Sequence, residues 1–202
     1  MLVYASKLIN MPVLSVQAGG PVANISELII DPDTLKTIAF KVGGAMVNRG
    51  QNILDISSVR EYSNYGFVID DIDELVAPDD ILKISKVIGL NFGLVGLKVE
   101  TKKQSKLGKI IDYTLSSDDF MVQQLIVKRP MIKSFIDPEL TIPRKEIVEI
   151  DDYKVVVRDE EKTIKERAEH EDFIPNFVNP FRKNEQDFVP ADSQNLDGKD
   201  TE

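Results

Sequence analysis

The chain has no cysteine, no tryptophan and a single histidine among its 202 residues. The missing thiols exclude disulfide frameworks, thiolate zinc sites and cysteine nucleophiles. A Ser-His-Asp triad would have to use His170, which lies in a charged run and not in an apolar core. Because no nucleophile, metal-ligand cluster or cofactor motif stands out, we predict no enzyme activity and no cofactor.

Long apolar runs are also lacking. No stretch reaches the roughly 18 apolar residues that a membrane span needs. The N-terminal residues do not show the basic segment and unbroken apolar core of a signal peptide. Together with the absence of cysteine, this predicts a cytoplasmic protein without a membrane span.

Positive charge is in deficit, since 25 Lys and Arg face 34 Asp and Glu and the formal net charge is −9. A general coating of nucleic acid is therefore not expected, because phosphate binding needs a positive surface. The charge is unevenly placed: −5 over residues 1–85, +1 over 86–160 and −5 over 161–202. The middle of the chain is thus locally basic.

Residues 161–202 have few large apolar side chains, so we expect a charged helix and then a disordered acidic tail. Three phenylalanines are the exception, at positions four residues apart: Phe173, Phe177 and Phe181. Intervening prolines argue against a regular helix there. Because exposed aromatic rings are unfavourable in water, this segment is expected to fold back onto the preceding residues or to dock on a protein partner. Plain disorder is the third alternative, and the sequence leaves all three open.

An internal repeat is the most informative pattern. Shifting the chain by 85 residues aligns apolar positions along most of its length, and after a three-residue insertion the shift becomes 88. The matched pairs include Leu14 with Val99, Phe40 with Leu125 and Leu54 with Ile142. This many coincidences under one small gap indicates a duplicated unit.

The repeated unit is rich in strands. Ile38, Phe40 and Val42 alternate with more polar residues, which predicts a half-buried strand. A change of spacing at 26–27, and at its counterpart 111–112, predicts a β-bulge or a strand break in each copy. Between the copies, apolar residues at helical spacing from Ile81 predict a connecting helix, which Asp79 would cap.

These patterns predict an all-β protein made of two tandem small β-barrels, because short strands separated by frequent turns suit small barrels. The expected boundaries are repeat 1 at 1–78, the connecting helix at 79–89, repeat 2 at 90–160, and the charged helix and tail at 161–202.

Four stretches within about residues 5–160 carry a family resemblance: Val22-Ala23-Asn24-Ile25, Ile56-Ser57-Ser58-Val59, Leu107-Gly108-Lys109-Ile110-Ile111-Asp112 and Ile142-Pro143-Arg144-Lys145-Glu146-Ile147. Through these stretches both copies resemble the PRC-barrel domain. Gly108 suits a strand that begins close to another backbone, and Ala23 stands at its place in the first copy. The resemblance implies a compact barrel used as an interaction module. The family includes the cytoplasmic part of the photosynthetic reaction-centre H subunit and the C-terminal domain of ribosome maturation factors. This chain lacks their additional parts, so neither role transfers.

The sequence therefore predicts a non-enzymatic protein-interaction or scaffold module with an unidentified protein partner. Homo-oligomerisation stays open. The alternative is a ribosome- or RNA-associated maturation factor that uses the basic face of repeat 2. The candidate partner-binding residues are the lysines of the basic hairpin and the tail phenylalanines: Lys102, Lys103, Lys106, Lys109, Phe173, Phe177 and Phe181.

Overall fold

The computed structural model describes residues 1–130 and 138–159. The three tail phenylalanines, and with them the predicted charged helix and tail, lie outside the described residues. Within the described ranges the chain is mostly β-structure, with two curled seven-stranded sheets and two α-helices. Neither helix is long and apolar enough to cross a membrane. The all-β class predicted from the sequence is confirmed.

The first sheet is built entirely from repeat 1, in the order β6-β7-β2-β3-β4-β5-β8. The central pair is a long antiparallel hairpin of β3 and β4, and β2 pairs in parallel with β7. The strands are β2 (Pro12–Ser15), β3 (Gly20–Asp31), β4 (Lys36–Gly43), β5 (Ile53–Asp55), β6 (Glu61–Ser63), β7 (Gly66–Ile69) and β8 (Leu75–Val76).

The second sheet has the order β12-β11-β10-β9-β14-β13, with β1 also paired to β10. Its strands are β1 (Leu2–Tyr4), β9 (Lys98–Thr101), β10 (Lys106–Ser116), β11 (Val122–Lys128), β12 (Glu139–Pro143), β13 (Ile147–Ile150) and β14 (Lys154–Val157). The helices are α1 (Ala5–Leu8) and α2 (Leu82–Gly89), and 3₁₀ turns cover Ile56–Ser58, Ile72–Glu74 and Arg144–Glu146.

The strand pairing reproduces the internal repeat. Phe40 pairs with Leu28 and Leu54 in the first sheet, and its counterpart Leu125 pairs with Tyr113 and Ile142 in the second. Each partner is the residue that the 85- or 88-residue shift predicts. The duplicated unit is therefore visible in the hydrogen-bonded register.

One stretch of the predicted alignment is wrong by one residue. Val13 pairs with Ala23 and Phe67, whereas Val99 pairs with Gly108 and Val155, so Val99 corresponds to Val13 and not to Leu14. The hairpin between these strands is one residue shorter in the second repeat. Apolar residues stand at both 13 and 14, so hydrophobicity alone could not place this difference.

Of the two predicted alternatives, a bulge or a strand break, the structure has a bulge in both repeats. The ladder of β3 skips Ser26 between Ile25 and Glu27, and the ladder of β10 skips Ile111 at the counterpart position. A second pair of bulges follows, at Ile38 on β4 and at Gln123 on β11, again 85 residues apart. Paired bulges bend both central hairpins in the same way, because each extra residue increases the local twist.

A pseudo-two-fold contact joins the two repeats at the tips of these hairpins. The backbone N–H of Thr37 donates to the carbonyl of Phe120 at 3.0 Å, and that of Val122 donates to the carbonyl of Leu35 at 2.9 Å. The two donor residues are 85 positions apart in the chain, and so are the two acceptor residues. Leu35 and Phe120 each adopt a left-handed conformation, with φ of 56° and 53°.

The side chains at this contact join the apolar interiors of the two repeats into one core. Phe120 is buried and lies 5.3 to 5.8 Å, ring centre to ring centre, from Phe40, Tyr62 and Phe67 of the first repeat. Buried apolar residues of both repeats belong to a single connected cluster, and residues 1–160 form one compact unit. The expected separate interior for each barrel is thus corrected, because a residue of repeat 2 packs inside repeat 1.

The segment before β2 packs on the second sheet, and the segment before β9 packs on the first sheet. Strand β1 pairs with β10 of the second sheet, and Ser6 donates hydrogen bonds to the Asp112 carboxylate. Helix α2 instead lies on the first sheet, where Ile84 is buried with Ile29 and Ile38. The predicted connecting helix is confirmed over 82–89. Asp79 does not cap its N-terminus but accepts a hydrogen bond from the Ser85 hydroxyl.

Helix α2 also explains why β4 is not half-buried as predicted. Thr37, Ala39 and Phe40 all have exposures of zero, so both faces of the strand are covered. The inner face meets the aromatic cluster, and the outer face meets the helix. The alternation in the sequence cannot reveal a helix that covers the second face.

Truncating Phe120 should destabilise both repeats together. We expect Phe120→Ala to lower the free energy of unfolding by about 3–5 kcal/mol, because it empties a buried aromatic site. Urea unfolding measures this loss. Hydrogen exchange should also accelerate in β7, which belongs to the other repeat. The control Tyr65→Ala removes an exposed ring and should change stability by about 0.5 kcal/mol or less. Faster exchange confined to repeat 2 would contradict the shared core.

Gly108 should tolerate no side chain. Its φ is +148°, and a Cβ there would overlap the carbonyl oxygen of Lys128. We expect Gly108→Ala to cost about 2 kcal/mol or more in unfolding free energy. Gly43→Ala, at a glycine with open space around it, serves as the control and should be far milder. Equal losses for the two variants would contradict the close approach of β10 and β11.

Candidate functional site: a basic groove on the second repeat

Four lysines occupy neighbouring positions across four adjacent strands. Lys154 on β14 is the register partner of Lys98 on β9, Lys98 pairs with Lys109 on β10, and Lys109 pairs with Lys128 on β11. We call this set the lysine row. Since strands in a sheet lie about 4.8 Å apart, the row spans roughly 14 Å across the sheet.

The lysine row lies on the outer face of the sheet. Each lysine has a chain neighbour that is fully or almost fully buried, namely Val155, Val99, Ile110 and Val127. Successive side chains of a strand point to opposite faces, so the four lysines point outwards. Register partners share a face, which places the four amino groups side by side.

A groove of about 690 Å³ runs over this face. Lys98, Lys109 and Lys128 line it, joined by Lys106 and Arg129. Glu100 is the acidic residue of the lining, and its carboxylate lies 3.8 Å from the amino group of Lys154. The groove is therefore strongly positive, and its acidic group already has a cationic partner.

One end of the groove is apolar. Val95 and Ile111 line it with exposures of 59 % and 40 %. Pro130 lies beyond Lys128, towards the opposite end near Lys106. Ile111 is the bulged residue of β10, two positions beyond Lys109. The bulge leaves this side chain unpaired on the outside. The groove thus combines a cationic floor with an exposed aliphatic end.

The first repeat has the same backbone here but none of this chemistry. The counterparts of Lys154, Lys98, Lys109 and Lys128 are Gly66, Pro12, Asn24 and Gly43, which are also in register with one another. No charge stands in that row.

The bulge differs between the repeats in the same way. The counterpart of Ile111 is Ser26, whose hydroxyl donates to the carbonyl of Lys41 at 3.0 Å. The basic row and its aliphatic neighbour are therefore additions to the shared framework of the second repeat.

The lysine row is unfavourable for the folded chain alone. Like charges directly opposite one another weaken a pair of strands. Over residues 1–130 and 138–159, Lys98, Lys106, Lys109, Lys128 and Arg129 have no carboxylate within 4 Å of their cationic groups. An anionic partner would relieve this repulsion.

The structure brings together some of the predicted binding residues. Lys106 and Lys109 line the groove, whereas Lys102 and Lys103 lie in the turn between β9 and β10, outside the lining. Sequence reasoning missed Lys154. It lies 45 residues beyond Lys109 and comes beside Lys98 only through the parallel pairing of β14 with β9.

Titratable groups with shifted pKa values lie outside the groove. Burial, reinforced by Asp112 and Glu27, holds the pKa of Tyr113 above its ordinary value. A side-chain hydrogen bond with Asp70 raises the pKa of Arg60. Hydrogen bonds from backbone N–H groups lower the pKa of Asp151. Within the described part of the chain, no three potential metal ligands come together.

Comparison of the chain with protein-family models and with curated proteins finds no match in either. The groove is therefore interpreted from its own geometry and chemistry.

Reversing the central charge of the row should stabilise the protein. We expect Lys109→Glu to raise the unfolding free energy by up to about 1 kcal/mol at low salt, because two like-charge pairs become opposite-charge pairs. Urea unfolding at low and high salt measures this, and the gain should shrink as salt screens the charges. Lys41→Glu has the same change in net charge but breaks the pair with Glu27, so it should not stabilise. A salt-independent loss for Lys109→Glu would show that the row is not repulsive.

Proposed function

We propose that this chain is a non-enzymatic protein-interaction module. In this proposal, two PRC-barrel-like repeats form one frame, and the basic groove of the second repeat is its working surface. The observation that carries the proposal is the lysine row, which stands at register positions that are uncharged in the first repeat. A row that weakens the isolated sheet is best explained by a negatively charged partner.

The lining of the groove favours a protein over RNA. Proteins that bind single-stranded RNA stack the bases on aromatic rings, and no aromatic residue is among the described residues that line this groove. The net charge of −9 also opposes general attraction of nucleic acid to the rest of the surface. Aliphatic side chains beside cations suit a peptide that carries both acidic and apolar residues.

The frame suits a scaffold role in the cytoplasm, as predicted from the sequence. The exchange of β1 and α2 between the repeats, with the Leu35 and Phe120 contact, holds the groove on a rigid sheet. A binding surface built on strands of a well-packed frame keeps its geometry better than one built on loops.

Photo-crosslinking in cells tests the proposal. A photoreactive amino acid at Val95, in the groove, should give an adduct with a protein. The same group at Leu82, an exposed position on α2 of the first sheet, should not give that adduct. The combined change Lys98→Glu and Lys128→Glu should abolish the Val95 adduct.

Two outcomes would count against this function. Adducts with RNA in place of protein would favour the ribosome- or RNA-associated alternative. A protein adduct at Val95 that persists unchanged when both lysines are reversed would show that the lysine row is not the working surface.

A further inference from the structure

We infer that the occupant of the basic groove is an extended peptide segment with acidic side chains at alternate positions and an apolar side chain at one end. This inference rests on the proposed function, because it specifies which feature of a protein partner the groove recognises. It follows from the order of Lys106, the lysine row and Ile111 along β10, and from the pairing of Glu100.

The groove fits an extended chain that runs along β10. Lys106, Lys109 and Ile111 follow one another on this strand, and Lys98 and Lys128 flank Lys109 on the neighbouring strands. In an extended peptide, side chains on the same side recur about every 6.7 Å, which equals the spacing of two strand residues such as Lys109 and Ile111. A peptide along β10 can therefore place carboxylates near Lys106 and the lysine row, and an apolar side chain near Ile111.

The lysines of the row differ in what they could gain from an anionic ligand. Lys154 is not among the residues that line the groove, and its amino group already lies 3.8 Å from the Glu100 carboxylate, so it has the least to gain. Lys109 stands between Lys98 and Lys128, with a like charge on each side. Lys109 should therefore contribute most to peptide binding and Lys154 least.

The apolar end of the groove sets the direction of the peptide. Val95 and Ile111 are exposed at the end beyond Lys109, away from Lys106. An apolar side chain that follows the acidic residues would cover these two aliphatic groups and remove them from water. The first repeat has Ser26 at the bulge and so offers a natural replacement for Ile111.

The groove shape separates this occupant from an anionic membrane. The aliphatic groups line a concavity alongside the lysines, whereas a bilayer presents a flat surface. Lipid headgroups could neutralise the row but would leave the aliphatic end without a partner. A peptide can place carboxylates near the lysines and an apolar side chain against the aliphatic end.

Fluorescence anisotropy with the full chain tests the inference. The probe is a short labelled peptide in which three glutamates alternate with serines and two phenylalanines follow. Control probes replace the glutamates with glutamines, or the phenylalanines with serines. A single-stranded RNA oligonucleotide and phosphatidylserine vesicles test whether the groove binds RNA or an anionic membrane more tightly than the peptide.

We expect the glutamate-phenylalanine peptide to bind best, with an affinity that falls as salt rises. Lys109→Glu should weaken binding by about tenfold or more, since it removes one cation and adds a repulsive charge. Ile111→Ser should weaken binding of the probe with phenylalanines several-fold. It should leave binding of the probe without phenylalanines unchanged. Lys154→Gln should have the smallest effect of the row. Lys41→Glu, with the same change in net charge as Lys109→Glu, should bind like the unmodified chain.

The outcomes distinguish this inference from the function on which it rests. If RNA or vesicles bind more tightly than the peptide, or if the glutamine probe binds equally well, the acidic-peptide inference is wrong. The crosslinking at Val95 can still succeed in that case, and the interaction module would stand with a different ligand. If the peptide binds but Lys109→Glu does not weaken it, the groove is not its site.

Discussion

Two backbone hydrogen bonds join the hairpin tips of the two repeats, and the packing of each repeat depends on this contact. They link Thr37 to Phe120 and Val122 to Leu35, and both Leu35 and Phe120 have a left-handed conformation. That conformation costs about 1 kcal/mol or more for a residue with a side chain. Burial of both side chains in the shared core offsets this cost. Each repeat therefore relies on the other for part of the core that stabilises its own hairpin tip.

The outer faces of the two sheets differ in composition and in what covers them. Helix α2 covers the outer face of the first sheet, where Ile29, Ile38 and Ile53 are apolar. The counterparts in the second repeat are Thr114, Gln123 and Thr141, which form no such apolar face. One repeat thus receives the connecting segment, while in the second repeat Lys98, Lys109 and Lys128 stay exposed among the residues that the structure describes. The basic groove lies on that second repeat.

The sequence predicted features that depend on spacing within one strand and missed those that depend on neighbouring strands. The bulges at Ser26 and Ile111 follow from a change of apolar spacing, and the glycine at 108 follows from the backbone space it needs. The sequence could predict only part of the lysine row. Lys98 and Lys109 belong to one hairpin, whereas Lys154 comes beside Lys98 through a parallel pairing of strands far apart in the chain. Likewise, no periodicity in β4 could show that α2 would cover it.

Duplication explains how a charged row can be carried on a stable frame. The features shared by both repeats are inward-facing residues, bulges and the tip contact, and these determine the fold. The register positions of the row point outwards, so charge can be placed there without disturbing the core. In the first repeat the same positions are glycine, proline and asparagine, which shows that the fold does not require lysine there. Four like charges in adjacent strands oppose the pairing that carries them, and this is the reason for proposing that they attract an anionic partner.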